Sequence, residues 1–214
     1  MGAIPESSTP RRFNLTMLNA AYDAFRRDMA RMSAAAGTAP GSAPDAGRVA
    51  RGWGMFRRHW LAQQAAEQRA LWTVMRGRER SSVFDALELR AFRVVPLLDG
   101  VDAALEHGDR RAFRQYARTL PPAVNDLLDY KEAEMLPLIH RVLTPFEWGT
   151  FDVEMRRELG MRGLASFVPW LLDGAPDATS RAVMRLLPPP FRLLYRARWL
   201  PRYQRRERWA APAV

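Results

Sequence analysis

Apolar residues recur along this chain at steps of three and four, and no convincing alternation of apolar and polar positions interrupts them. That period predicts helices almost throughout. Leu15, Leu18, Tyr22, Phe25, Met29 and Met32 mark a first helix over 14–33. Ala, Gly, Pro and Ser dominate 34–47, where a flexible connection is expected. A second helix is predicted over 48–76, with Trp53, Phe56, Trp60, Gln63, Gln64, Glu67, Leu71 and Val74 in one broad stripe. Two Gln and a Glu inside an apolar stripe are costly to bury without partners, so they mark a place of interest.

A third helix is expected from near Ser81-Ser82 to His107-Gly108, with Pro96 as a kink or a tolerated bend. A fourth begins near Asp109, breaks at Pro121-Pro122 and resumes to about Val142. Another fits 145–159, with Thr144 as its N-cap and Pro145 in the first turn. Gly160, Gly163, Gly174 and Pro188-Pro189-Pro190 then divide the rest into short helices. The expectation is an all-α protein: a flexible N-terminus (1–13), a four-helix up-down bundle (14–142), and a C-terminal helical extension (143–214) packed on it.

A chain of 214 residues is one domain or a domain with an extension, long enough for a substantial core. It has no Cys, which excludes disulfides, thiolate metal sites and Cys nucleophiles. Residues 1–12 contain no apolar run of the kind a secretory signal needs, and no stretch approaches the roughly 20 apolar residues of a membrane span. A soluble cytoplasmic protein is therefore expected. The net charge of +10 is unevenly distributed: residues 192–208 hold seven Arg and one acid, Glu207, interleaved with Trp199 and Tyr203 and followed by Trp209. Such a segment suits an anionic membrane surface or nucleic acid. It also suits a segment folded back on the domain, with Arg stems reaching water. The density of aromatic residues favours folding back, disfavours nucleic acid and leaves the membrane surface open. No Gly-rich phosphate loop, zinc motif or Ser-His-Asp arrangement is evident.

Several phrases, in order and spacing, resemble the hemerythrin-like (HHE cation-binding) family. Tyr22-Asp23-Ala24-Phe25 looks like the family start, where a His precedes the Asp. Gln63-Gln64-Ala65-Ala66-Glu67-Gln68 with Leu71-Trp72 looks like its double-His motif with a following Glu. Leu87-Glu88-Leu89-Arg90-Ala91, with Pro96-Leu97-Leu98 after it, sits where a Met-Glu-x-Glu-His run is usual. Leu127-Leu128-Asp129-Tyr130-Lys131-Glu132, followed by Leu136-Pro137-Leu138, sits at a His-Leu-x-x-Glu-Glu motif. Glu147-Trp148, Pro169-Trp170-Leu171-Leu172 and Pro201-Arg202-Tyr203 look like tail elements, so the resemblance spans about 15–209.

The resemblance implies a bundle built around two irons, yet every matched His is replaced: Tyr22, Gln63, Gln64, Ala91 and Leu127 stand in those places. Lys131, the only Lys among 33 basic residues, occupies a carboxylate position. Ala and Leu cannot bind a metal, and an ammonium repels one, so no metal and no cofactor are expected. His107 reads as a helix C-terminal residue and His140 is out of phase with Lys131. If the bundle holds, Lys131, Glu67 and Tyr22 form an acid–base set in an interior pocket, with Gln63, Gln64, His59, Ala91, Leu127 and Trp60 as substrate-binding walls. Ala91 opens space and Leu127 makes the pocket more apolar. The expected function is binding of a small, largely apolar organic molecule, extending to cofactor-independent isomerisation, cyclisation or elimination. Two alternatives stay open: a structural, interaction or sensor protein whose Lys131 only plugs the charge left by the lost metals, and residual metal or oxygen binding.

Overall fold

The computed structural model describes residues 13–37, 45–79 and 82–209. Among the described residues there are seven helices and no strand. Helix α1 is Thr16–Gly37. Helix α2 opens as Ala46–Glu67, passes through a π-helical turn at Gln68–Trp72 and closes with Thr73–Arg76. Helix α3 is Ser82–Glu106. Helix α4 opens as Arg110–Tyr130, passes through a second π-helical turn at Lys131–Met135 and ends with Leu136–Val142. Helices α5 (Pro145–Leu172) and α6 (Asp177–Leu186) follow. Helix α7 comprises Pro189–Leu194, a third π turn at Tyr195–Trp199, and Leu200–Gln204.

Side-chain caps explain several of the helix starts. The Asp45 carboxylate accepts from the Gly47 amide at 2.9 Å, and Asp109 accepts from the Arg111 and Ala112 amides at 2.9 Å each. Thr144 and Glu147 form a reciprocal capping box at the start of α5, as the sequence indicates for Thr144. Arg78 pairs with Glu147 and, with the cap, holds that carboxyl down to about 2.

Helices α3 and α4 pair through the short turn at His107-Gly108, α4 packs on α1, and α1 on α2. Helix α5 packs along α2 and touches α1; α7 lies against α5. The core joins these layers through rings. Phe25 of α1 lies 5.1 Å from Trp60 of α2 and 5.0 Å from Trp170 of α5, centroid to centroid. Aromatic pairs of this kind add about 0.5–1.5 kcal/mol beyond the area they bury.

The C-terminal segment folds back, with Trp199, Tyr203 and Trp209 all buried. Trp209 ends the described chain in a slot on α2. Its ring occupies the space of an absent side chain at Gly52, where a Cβ would come within 2.5 Å of it. Its amide donates to the Arg48 carbonyl at 3.0 Å. Its indole Nε1 donates to Asp28 Oδ1 at 3.2 Å, while Trp170 Nε1 donates to Asp28 Oδ2 at 2.7 Å. Burial pushes the Asp28 carboxyl up to about 6, against the pull of the two indoles and Arg31.

Three sequence expectations need correction, and one helix break falls where the sequence put it. Pro121-Pro122 do not interrupt α4, which runs through them. Pro121 leaves the Ala117 carbonyl without its helical donor, and the Ser33 hydroxyl of α1 takes that place at 3.2 Å. The helix expected over 145–159 and its break at Gly160 are present: Gly160 (φ 59°, ψ 177°) is non-helical, and a further helical stretch beyond this kink carries α5 to Leu172. Phe13, counted with the flexible N-terminus, is anchored: its amide donates to His140 Nδ1 at 3.0 Å and its ring stacks on His140 and Trp148. The flexible connection over 34–47 is helical at both ends, to Gly37 and from Ala46; residues 38–44 lie outside the described residues, as do 1–12 and Ser81.

Candidate functional site

Glu67 and Lys131 face each other across the interior, each at the edge of a π-helical turn. Glu67 is the last residue before one such turn and Lys131 the first residue of another. Extra residues of this kind shift the phase of a helix and recur at functional sites. Both side chains are buried, with exposures of 0% and 1%. Lys131 Nζ donates to Glu67 Oε2 at 2.5 Å and to Gln64 Oε1 at 2.8 Å. The other carboxylate oxygen, Glu67 Oε1, accepts from the Tyr22 hydroxyl at 2.9 Å and from Gln63 Nε2 at 2.8 Å. Tyr22 and Gln63 are buried as well. Lys131 also lies 5.7 Å from the Tyr22 ring centroid and 5.9 Å from that of Trp60, within reach of cation–π attraction.

The network satisfies the carboxylate from three sides, as a buried charge requires. It also sets the Tyr22 phenol: burial, and then the adjacent negative charge of Glu67, push its pKa well above the ordinary value. Tyr22 is thus held protonated as a hydrogen-bond donor.

A cleft of about 360 Å³ opens between α2, α3 and α4, beside this network. Trp60, Gln64, Ala91, Leu127 and Lys131, five of the predicted residues, line it. Its volume falls in the range of small-molecule sites. Glu67, Tyr22 and Gln63 do not line it; they stand behind Lys131 and hold it. Of the expected acid–base set, Lys131 alone lines the cleft, and Glu67 and Tyr22 lie in the network behind it. His59 is displaced further. Its ring packs at 4.5 Å from Trp170 and 5.3 Å from Phe167, and its Nε2 lies 3.3 Å from the Ser166 hydroxyl, all on α5. Burial pushes His59 down to about 3, so it is neutral.

One polar group at the cleft is incomplete. The Gln64 amide oxygen is committed to Lys131, which fixes the orientation of the amide. Its Nε2 is buried with no partner among the described residues. Lys131 has three donor hydrogens, and its two bonds use two of them. An unpaired amide donor therefore lies beside an ammonium with one free hydrogen, against an otherwise mostly apolar wall.

Sequence reasoning missed Gln68, Trp72, Leu87, Val94 and the ion pair of Arg76 with Glu88 at 2.6 Å, all of which belong to the cleft. Gln68 and Trp72 continue the row of Trp60 and Gln64 at steps of four, a signal that was present in the sequence. Arg76 is the next step of that row, but its pairing with Glu88 carries no such signal, since only the approach of α2 to α3 joins them. Among the described residues no group of three or more His, Cys, Asp or Glu is placed to hold a metal ion. No described helix is long and apolar enough to cross a membrane.

The chain matches no protein-family model, no curated protein and no solved structure.

Proposed function

We propose that the cleft binds a small, largely apolar organic molecule carrying an oxygen acceptor, such as a carbonyl, ether or hydroxyl. The single observation that carries this reading is the unpaired Gln64 Nε2 beside Lys131 in the cleft wall. A buried donor without a partner costs about 1–3 kcal/mol, and a ligand oxygen placed there removes that cost. Trp60, Trp72, Leu87, Ala91, Val94 and Leu127 supply the apolar surface around it. In the catalytic form of the proposal, Lys131 hydrogen-bonds the ligand oxygen and stabilises negative charge developing on it, while Glu67, Tyr22 and Gln63 hold the ammonium in place. Isomerisation, cyclisation and elimination next to a carbonyl all draw on such a group. On this reading the helices α1 to α4 are a four-helix up-down bundle of hemerythrin-like type whose metal ligands have been exchanged for a hydrogen-bonded polar set.

A second reading keeps the same bundle and assigns Lys131 a structural role only. It is favoured by the engagement of both Glu67 oxygens, which is what a plug for a buried charge would show. The two separate by experiment. Fragment screening by NMR, with a library of small aromatic ketones and lactones, should find ligands that shift Trp60 and Trp72 indole signals. Lys131→Met should abolish those shifts in a protein that still folds. Ligands that bind the variant as well as the native chain, or none that reach these indoles, would leave the structural plug.

A further inference from the structure

A second concave site lies on a different face of α2, with the opposite electrostatic character. It has a volume of about 350 Å³ and is walled by α2, α5, α7 and the segment after α7. Six arginines line it: Arg58, Arg162, Arg198, Arg202, Arg206 and Arg208. No acidic residue does. Among the described residues, five of the six make no ion pair and no side-chain hydrogen bond. The sixth, Arg208, lies 3.4 Å from the Tyr203 ring centroid and donates to the Tyr203 carbonyl at 2.8 Å. The nearby acids are committed elsewhere: Glu207 pairs with Arg48, and Asp173 with Arg31 and the Tyr203 hydroxyl.

Six like charges around one hollow repel each other, and no acid among the described residues lines that hollow to offset them. Elsewhere the same chain pairs its arginines readily, as in Arg26 with Asp129 and Glu132, and Arg57 with Asp99 and Asp102. A guanidinium presents a planar fork that matches the oxygens of a phosphate two at a time. A single carboxylate has too few acceptor sites to engage forks from three helices. Phosphate groups, with several oxygens and more than one negative charge, meet that geometry and charge.

We propose that this pocket binds a phosphate-bearing anion of two or more charges, of the diphosphate class. An extended nucleic acid fits less well. The arginines surround one half-open hollow rather than tracking a strand, and Trp199, Tyr203 and Trp209 are buried, so they offer bases no stacking surface. The phosphate could be carried by a soluble ester or by the headgroup of an anionic lipid; Met161, which lines the pocket and is 67% exposed, would meet the apolar part of either.

The test uses the full chain and inorganic pyrophosphate, at ionic strength held constant with chloride. Calorimetry should show saturable binding of about one pyrophosphate per chain and a raised unfolding temperature. The Arg58→Gln/Arg162→Gln variant should bind at least about tenfold more weakly, since each charge-assisted pair lost is a large share of the affinity. Arg114→Gln, on the exposed side of α4, should change nothing. In a second arm, vesicles of phosphatidylcholine with one-fifth phosphatidic acid are compared with phosphatidylcholine alone. Binding of pyrophosphate assigns a soluble phosphate. Failure of pyrophosphate with retention on the acidic vesicles, lost in the double variant, assigns a lipid headgroup. Three results overturn the proposal: no binding in either arm, equal weakening by Arg114→Gln, or binding to duplex or single-stranded DNA alone.

Discussion

Two hollows flank α2, and they treat positive charge in opposite ways. In the cleft, one ammonium is buried and every neighbouring group is arranged around it: Glu67 at 2.5 Å, Gln64 at 2.8 Å, and Tyr22 and Gln63 behind the carboxylate. In the arginine pocket, six cations share a half-open space with no acid in its wall. The difference follows from solvation. A charge removed from water must find a partner within the protein, because an unpaired one costs several kcal/mol. Exposed guanidinium groups remain hydrated and screened, so the chain can leave them unpaired. Among the described residues the cleft thus leaves only one amide donor and one ammonium hydrogen without a partner, whereas no acid lines the arginine pocket.

The sharpest way to break this comparison is to remove the carboxylate. Glu67→Leu strands Lys131 in the interior and should cost about 3–5 kcal/mol in urea unfolding. Adding Lys131→Met should recover most of that loss, as apolar replacement of a whole buried pair often does. A Glu67→Leu variant as stable as the native chain would show that the pair is not closed off from water.

Titration sharpens the comparison next, because α2, which contributes residues to both hollows, also carries the buried His59. Its folded pKa of about 3 lies below the ordinary 6.5, so the unfolded chain takes up the proton first. Its contribution is full above pH 6.5 and is lost as the pH falls towards 3. The expected loss by pH 4 is about 3 kcal/mol. Comparing unfolding free energies of the native chain and His59→Gln between pH 7 and 4 should show a flatter acid limb in the variant. Equal slopes would mean that the ring is hydrated.

Asp28, which anchors the C-terminal wall of the arginine pocket through Trp209, has the opposite sign. Its folded pKa of about 6 lies above the ordinary 3.8, so the folded chain holds the proton more tightly. The stability tied to that proton is full below pH 4 and is lost as the pH rises through 6, by about 2–3 kcal/mol. Asp28→Asn should remove this dependence, its single amide oxygen accepting from one of the two indoles that Asp28 holds. Urea unfolding at pH 4.5 and 7.5 checks it, and an unchanged difference between the two pH values would contradict it.

The smallest effect is expected where charge is unpaired. Arg162→Gln, exposed and without a partner among the described residues, should leave the unfolding temperature within about 1 °C of the native value. A fall of several degrees would place Arg162 in a pairing that the geometry does not show.

Helical content and the main helices were legible in the sequence because their apolar rows keep a 3.6-residue period over many turns. The stripe of Gln63, Gln64 and Glu67 was legible as a site because polar groups in an apolar row demand partners. Lys131 was singled out through the resemblance of residues 127–132 to a ligand motif, where it stands at a carboxylate position. The continuity of α4 through Pro121-Pro122 was not, because the hydroxyl that rescues it belongs to Ser33, 88 positions earlier in the chain.

What the sequence by itself determined was local: the period of each helix, the cap at Thr144, and the presence of one Lys and many Arg. Tertiary structure decided which of these groups meet. It set Lys131 rather than Glu67 in the wall of the cleft, and turned His59 towards Ser166 and Trp170. It drew Arg58, Arg162 and Arg202 from three separate helices into one hollow. The physical reason is that helix phase fixes a direction from an axis, and only the packing of several axes fixes a distance. Two π-helical turns then shift that phase at Gln68–Trp72 and Lys131–Met135, where the site is built.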